Sequence, residues 1–127
     1  MAHPSDRKYS KDHEWVILDG DVATVGISDF AQSQLGDVVF IELPEEGDDM
    51  TAAEQFGEIE SVKSVSELIA PVSGEIIEVN SGLVDAQETV NSDPHGAGWM
   101  VKVRASDPSE LDGLLSAEEY DAFITEG

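Results

Sequence analysis

The sequence predicts a mainly β fold, a flattened β sandwich with one short helix near residues 29–35 and two short C-terminal helices. Short apolar runs separated by turn-forming residues recur from residue 14 to residue 104, as strands do. The segments FIELPEEG (40–47) and IIEVNSG (76–82) resemble each other, as two similar halves of a sandwich would. From residue 107 onward the apolar residues take helical spacing instead.

The first third of the chain predicts a hairpin followed by the short helix. Two apolar runs, Trp15–Leu18 and Val22–Ile27, meet at Asp19-Gly20, a dipeptide that favours the positive φ angles of a tight turn. Ser28 is a helix N-cap candidate, and Gly36 stands where a left-handed residue commonly ends a helix.

The middle of the chain predicts further strands around a turn that contains a lysine. Two short runs flank Val62-Lys63-Ser64, and the segment NSDPHGAG (91–98) is rich in residues that form loops. The predicted strands are DVVFIEL (37–43), FGEIESV (56–62), SELIAP (66–71), GEIIEV (74–79) and WMVKVR (99–104), with PEEGDD (44–49) as a turn.

The C-terminal segment predicts two helices that pack on the β core. Asp107 is an N-cap candidate, Pro108 suits the first helical position, and Glu110 completes a capping-box spacing. Ser116 and Glu119 repeat that spacing. The apolar residues at helical intervals are Leu111, Leu114, Leu115, Tyr120, Phe123 and Ile124.

The composition bounds the possible functions. The chain has 127 residues, enough for one domain: N-terminal strands at 9–27, a central β core at 37–104 and C-terminal helices at 107–125. With 28 acidic against 6 basic residues, its formal net charge of −22 argues against nonspecific binding to nucleic acid or anionic membranes. The acidic residues are spread along the chain, which favours a hydrated, halophile-like surface suited to molar salt over an acidic tail.

The chain lacks cysteine, so any sulfur chemistry must be supplied by a cofactor. The histidines show no metal-ligand spacing, and we expect no metal site. The N-terminal residues lack the apolar region of a secretory signal, and no apolar run is long enough to span a bilayer. From the sequence we expect a cytoplasmic monomer.

Lys63 is the one basic residue between Lys11 and Lys102. A tight turn between two strands would hold its amine out in solvent, where a modifying enzyme could reach it. An exposed amine is less suited to Schiff-base catalysis, which usually requires a desolvated lysine. From spacing alone, an ordinary surface lysine among glutamates remains the alternative.

Further motifs decide between these two interpretations. The segment GEIESVKSVSELIAPVSGEIIEVN (57–80) resembles the lipoyl-attachment segment of the glycine cleavage system H proteins. YSKDHEWV, VGISDFAQSQLGDVVFIELPEEG, NSDPHGAGWMVKV and ELDGLLSAEEYDAF also resemble that family, in the same order, from about Tyr9 to Phe123. The resemblance implies a lipoyl/biotinyl-type flattened barrel-sandwich hybrid, with residues 37–104 as the lipoyl core and Lys63 on a protruding hairpin.

The resemblance also implies a covalent cofactor carrier and not an enzyme. Lipoate would be joined to Lys63 as an amide by a lipoate ligase or lipoyl transferase. Glycine decarboxylase (P protein) would load an aminomethyl group, aminomethyltransferase (T protein) would remove it, and dihydrolipoyl dehydrogenase (L protein) would reoxidise the dithiol. An H-like relay that donates lipoate to 2-oxo acid dehydrogenases is the alternative. A hydrolase that uses paired carboxylates is a third possibility, but no pair of acids stands out.

The family pattern points to further site residues. Glu14 would accept the amine of the loaded arm, and Asp12 and Glu67 would stand beside it, at positions where the family tends to have a small hydroxyl residue and an aspartate. Glu60 and Gly74 would contribute to recognition by the lipoylating enzyme. Gly74 could equally be required by a turn.

The net charge generates a first prediction. Because self-repulsion of a highly acidic chain is screened only at high ionic strength, the melting temperature should fall when molar salt is replaced by low salt. Thermal unfolding followed by circular dichroism at several salt concentrations measures this. A melting temperature that does not change with salt would contradict the prediction.

Overall fold

The computed structural model describes residues 3–126 and contains two β-sheets and a few short helices. The mainly β prediction is therefore confirmed. The strands are β1 (Lys8–Tyr9), β2 (Glu14–Asp19), β3 (Val22–Ile27), β4 (Val38–Glu42), β5 (Asp49–Met50), β6 (Gln55–Ser61), β7 (Val65–Ile69), β8 (Gly74–Val79) and β9 (Val101–Ala105). The α-helices are α1 (Asp29–Leu35), α2 (Glu88–Ser92) and α3 (Ala117–Glu126), and 3-10 helices span Ser81–Val84 and Pro108–Gly113.

The larger sheet has six strands in the order β1-β2-β3-β9-β8-β5, and the smaller sheet has three in the order β4-β6-β7. The two similar segments noticed in the sequence contribute strands to different sheets, since β4 lies in the smaller sheet and β8 in the larger. One apolar cluster contains residues of both sheets and of α1, including Ile27, Ile41 and Leu68. The smaller sheet is thereby held against α1 and the end of β3.

The first hairpin forms as predicted, with its turn displaced by one residue. Asp19 pairs with Val22, so the two-residue loop is Gly20-Asp21 and not Asp19-Gly20. Gly20 has a φ of 66°. A positive φ at the first loop residue is the requirement of a type II′ turn, which glycine meets without steric cost.

The short helix α1 is confirmed at residues 29–35. The Ser28 hydroxyl accepts a hydrogen bond from the Ala31 N–H (3.1 Å), and the Gly36 N–H donates to the Gln32 carbonyl (3.0 Å). The φ of Gly36 is 79°, which explains why glycine ends this helix.

The C-terminal segment differs from the prediction in its first helix. Residues 108–113 form a 3-10 helix, and the Asp107 side chain caps it by accepting from the Ser109 N–H. Glu110 does not complete a capping box, because its carboxylate accepts from the Ser73 N–H (2.7 Å) and hydroxyl (2.9 Å). That long-range contact joins the 3-10 helix to the residue before β8, which spacing within the segment could not reveal.

The second C-terminal helix, α3, begins as predicted. The Glu119 N–H donates to the Ser116 hydroxyl (3.1 Å), and the Ser116 N–H donates to the Glu119 carboxylate (2.9 Å). The buried ring of Tyr120 stacks on that of Tyr9 with centroids 4.7 Å apart. This stacking attaches α3 to the N-terminal edge of the larger sheet.

The sequence also left several short elements unassigned. These are β1, β5, the 3-10 helix at 81–84 and helix α2, which ends at Ser92 inside the segment read as a loop. All the helices within residues 3–126 are too short or too polar to traverse a bilayer.

Candidate functional site

Lys63 lies at the tip of the β6–β7 hairpin. Glu60 pairs with Val65, and the Ser61 N–H donates to the Ser64 carbonyl (2.8 Å) across the turn. The Ser61 hydroxyl oxygen accepts from the backbone N–H groups of Lys63 (3.3 Å) and Ser64 (3.1 Å). The Ser61 side chain thus bonds to the backbone of both Lys63 and Ser64 and supports the turn.

A second contact joins this tip to the end of α1. The Val62 N–H donates to the Asp37 carbonyl (3.1 Å), and the stem of Lys63 passes over Gly36. A Cβ atom built on Gly36 would lie 3.3 Å from Lys63 Cε, so a larger residue at position 36 would press on the lysine stem. None of the ion pairs found among residues 3–126 includes Lys63, and its side chain is exposed.

A cleft of about 360 Å³ opens beside the hairpin, between α1, β7 and the residues that precede β2. Apolar side chains of α1, β3, β6 and β7 line it together with carboxylates, hydroxyls and an imidazole. The lining residues are Asp12, His13, Glu14, Ile27, Phe30, Ala31, Gln34, Leu35, Ile59, Ser64, Ser66, Glu67 and Leu68.

Glu14 is the buried acid of this cleft, with 1% of its surface exposed. Its Oε2 accepts from the Ile69 N–H (2.8 Å), and its Oε1 accepts from the Ser10 hydroxyl (3.3 Å). Burial raises the pKa of Glu14 from 4.5 to about 8, although the hydrogen bonds from Ile69 and Ser10 oppose the shift. A cation that entered the cleft would favour the ionised form.

The chain just before Glu14 is held in an unusual conformation. His13 has a φ of 71°, a left-handed angle that non-glycine residues seldom adopt. Its carbonyl accepts from the Ser28 N–H (2.9 Å), and its Nδ1 lies 2.8 Å from the Tyr120 hydroxyl. The same hydroxyl lies 2.7 Å from Ser28 Oγ, so α3 helps to hold the wall of the cleft.

Ser10 completes this loop and was not singled out by the sequence. Its hydroxyl oxygen accepts from the N–H groups of Asp12 and Glu14, both at 3.2 Å. A hydroxyl therefore stands beside Glu14 although position 12 is an aspartate. The sequence signal for this role was a serine two residues before an aspartate, because serine and aspartate side chains commonly form hydrogen bonds with nearby backbone groups.

The fold brings together the three acids that the sequence analysis grouped around the arm, because Asp12, Glu14 and Glu67 all line the cleft. Glu60, in contrast, faces the outer side of the smaller sheet, opposite Phe40 and Val65. Gly74 lies in the larger sheet, where a Cβ atom would overlap the Arg104 carbonyl oxygen of β9. Close backbone approach thus accounts for glycine at position 74.

The arrangement suits a carrier of a covalently attached group. An exposed lysine on a hydrogen-bonded turn stands next to a partly apolar cleft that contains a buried carboxyl group, so a group attached to the lysine could lie in the cleft. The outer rim remains open to solvent, which leaves the amine reachable by other proteins.

Comparison with known proteins agrees with this description. The model of the glycine cleavage H-protein family matches residues 7–127. The glycine cleavage system H protein of Staphylococcus carnosus is 55% identical over 126 residues, which cover 99% of this chain and all of that protein. The H protein of Symbiobacterium thermophilum is also 55% identical, over 98% of this chain and 97% of its own length.

A solved structure supports the same assignment. The crystal structure of a glycine cleavage system H protein from Mycobacterium marinum superposes with a TM-score of 0.89 at 45% identity, covering 96% of this chain and 98% of that one. The chain belongs to the glycine cleavage H-protein family. It is a lipoyl carrier and not itself an enzyme, and the names of these relatives do not favour the lipoyl-relay alternative.

The burial of Glu14 generates a second prediction. Its pKa of about 8 in the folded protein lies above the ordinary 4.5, so between these pH values the folded state keeps a proton that the unfolded chain has released. The contribution of Glu14 to stability is therefore largest at or below pH 4.5 and is lost as the pH rises to about 8. Glu14→Gln removes this dependence, so the melting temperature of the variant should rise relative to the wild type across that range.

Thermal unfolding of both proteins in molar salt at about pH 5, 6.5 and 8 measures the difference. Glu67→Gln is the matched control, because it removes a carboxylate from an exposed residue that lines the same cleft. A difference in melting temperature between Glu14→Gln and the wild type that stays constant with pH would contradict the prediction.

Proposed function

We propose that lipoate is attached to this carrier as an amide on Lys63 Nζ, and that the carrier moves an aminomethyl group from glycine decarboxylase to aminomethyltransferase. Dihydrolipoyl dehydrogenase then restores the disulfide. The observation that supports this most directly is the position of Lys63, which is exposed at a hydrogen-bonded hairpin tip beside an acid-containing cleft. The bound lipoyl group would supply a disulfide, which a chain without cysteine does not have.

The surroundings of Lys63 fit an acylated lysine. No ion pair among the described residues would be broken when the amine becomes a neutral amide. The formal charge would change by one unit from −22, which is a small change for this surface. The hydrogen bonds of the tip to Ser61 use the backbone N–H groups of Lys63 and Ser64, which acylation of Nζ leaves unchanged.

The cleft fits the cargo that the carrier would transport. An aminomethyl group ends in a primary amine, which is cationic at neutral pH, on a carbon that water can attack. Glu14 would receive this ammonium, while Asp12 and Glu67 would surround it with negative charge at the cleft rim. Since an opposite charge lowers the pKa of a carboxyl group, docking would release the proton that burial keeps on Glu14.

Recognition by the attaching enzyme, a lipoate ligase or lipoyl transferase, would involve residues near the lysine. Glu60 suits this role because it lies on the exposed face two residues from the turn. Gly74 would act indirectly, by allowing β8 to approach β9. The cytoplasmic location and the monomeric state stay predictions from the sequence.

The attachment site generates a third prediction. Lys63→Arg keeps the positive charge but removes the acyl-accepting amine, so a competent lipoate–protein ligase should add one lipoyl group to the wild type and none to the variant. Intact-mass spectrometry measures the adduct, and Lys102→Arg is the control that should be modified like the wild type. A lipoyl group found elsewhere, or an unmodified wild type, would refute attachment at Lys63.

The same lipoylated protein distinguishes the two carrier roles. Glycine cleavage predicts exchange of labelled carbon dioxide into glycine when glycine decarboxylase is added. Transfer of lipoate to 2-oxo acid dehydrogenases without such exchange would favour the relay.

The cleft generates a fourth prediction, about the loaded carrier. If Glu14 holds the ammonium away from water, Glu14→Gln should release ammonia from the loaded carrier at least about tenfold faster, because the loss of a charge-assisted contact costs about 1.5–3 kcal/mol. Ammonia release with time, after removal of the decarboxylase, measures the lifetime. The exposed Asp12→Asn variant should change it less. Equal lifetimes for Glu14→Gln and the wild type would exclude Glu14 as the acceptor.

A further inference from the structure

The exposed apolar residues of this protein are concentrated around Lys63. Of the five large apolar side chains that are exposed within residues 3–126, four lie on the smaller sheet or its hairpin tip. They are Val39 (50% exposed), Phe40 (43%), Val62 (70%) and Val65 (57%), which we call the tip patch. Single exposed apolar residues are ordinary on protein surfaces, whereas a group of them on a very acidic surface indicates a contact site.

Strand register gives the tip patch its geometry. Phe40 pairs with Glu60 and Glu60 pairs with Val65, so these side chains form one row across β4, β6 and β7. Side chains directly opposite each other project from the same face of a sheet, about 5 Å apart. Their chain neighbours Ile41 and Ile59 point the other way and are buried, so this row faces outward.

The next row is acidic. Glu42 pairs with Glu58, and Glu58 pairs with Glu67, which sets three carboxylates opposite one another. Glu67 lies on the edge strand β7, so it ends this row and also borders the cleft. Like charges in this position repel, and Lys63 is the one basic residue between Lys11 and Lys102. The tip patch is therefore bordered by negative charge that no cation of these strands offsets, which suits a partner with an apolar contact area and a basic rim.

The reach of the lysine identifies that partner. A lysine amine extends only about 6 Å from its Cα atom, so an enzyme that acts on Nζ must contact the residues beside the turn. An enzyme that handles the far end of an attached arm can remain further away. An enzyme that attaches a group to Nζ must therefore contact Val62 and Val65, because these residues flank Lys63 and Ser64.

We propose that the tip patch extends the recognition site already proposed at Glu60 into an apolar docking surface for the enzyme that attaches lipoate, and that this enzyme presents an apolar surface ringed by basic side chains. The inference rests on the proposed attachment at Lys63. In the reaction, Nζ attacks the carboxyl carbon of lipoyl adenylate formed from lipoate and ATP. The bond to AMP breaks, the amine loses a proton to solvent, and the amide forms.

The test is steady-state lipoylation of the unmodified full-length protein by a bacterial lipoate–protein ligase with ATP and lipoate, followed by intact mass. Val62→Thr/Val65→Thr keeps side-chain shape on exposed positions and should raise KM for the carrier about tenfold with kcat unchanged. Glu60→Gln should also raise KM for the carrier, and the KM of this variant should increase less with salt concentration than that of the wild type. Val22→Thr, on the larger sheet, and Glu118→Gln, on α3, are matched controls that should behave like the wild type.

Equal melting temperatures of the variants and the wild type establish that folding is intact. Wild-type kinetics in both patch variants would overturn the docking proposal and leave attachment at Lys63 intact. A wild type that accepts no lipoate would instead overturn the proposed function.

Normal lipoylation of the valine variant together with loss of decarboxylase-dependent exchange would assign the patch to the decarboxylase. A wild-type dimer that the valine variant loses would assign it to a second copy of this chain.

Discussion

The hydrogen bond from the Ile69 N–H to the buried carboxyl group of Glu14 is the contact on which the functional region depends. Glu14 begins β2 of the larger sheet and Ile69 ends β7 of the smaller one, so this bond joins the two sheets beside the cleft. A buried carboxyl is costly without partners, and the protein satisfies it with Ile69 and with Ser10. The left-handed His13 directs Glu14 inward, and Tyr120 of α3 holds His13 in turn.

The same contact connects stability with function. Burial keeps Glu14 largely protonated near neutral pH, at some cost to stability as the pH rises. An incoming ammonium can exchange with that proton, so the cleft need not hold an unpaired buried charge when it is empty. Lys63 is the opposite case, since its side chain is exposed, is absent from the ion pairs found in the described part of the chain and has its stem over Gly36. The cleft around Glu14 is thus organised to bury a group, and the adjacent hairpin is organised to leave Lys63 accessible to other proteins.

The sequence predicted much of this arrangement where the signals are local. Helix α1, the Ser116–Glu119 capping box and the strands on either side of Lys63 follow from residue types a few positions apart. The errors arose where a distant partner competes. Glu110 has capping-box spacing but bonds to Ser73 instead. The short strands β1 and β5, of two residues each, are set by their neighbours in the sheet and have no periodicity of their own.

By itself the sequence determined the class of fold, the isolation of Lys63 in an acidic chain and the motifs by which the family is recognised, because these depend on composition and on order along the chain. The tertiary structure decided which side chains share a space. It set Asp12, Glu14 and Glu67 around one cleft although Glu67 is far from the others in sequence, and it turned Glu60 to the outer face. Burial, and hence the raised pKa of Glu14, arises only when two sheets and α1 enclose a carboxyl group that the extended chain leaves in water.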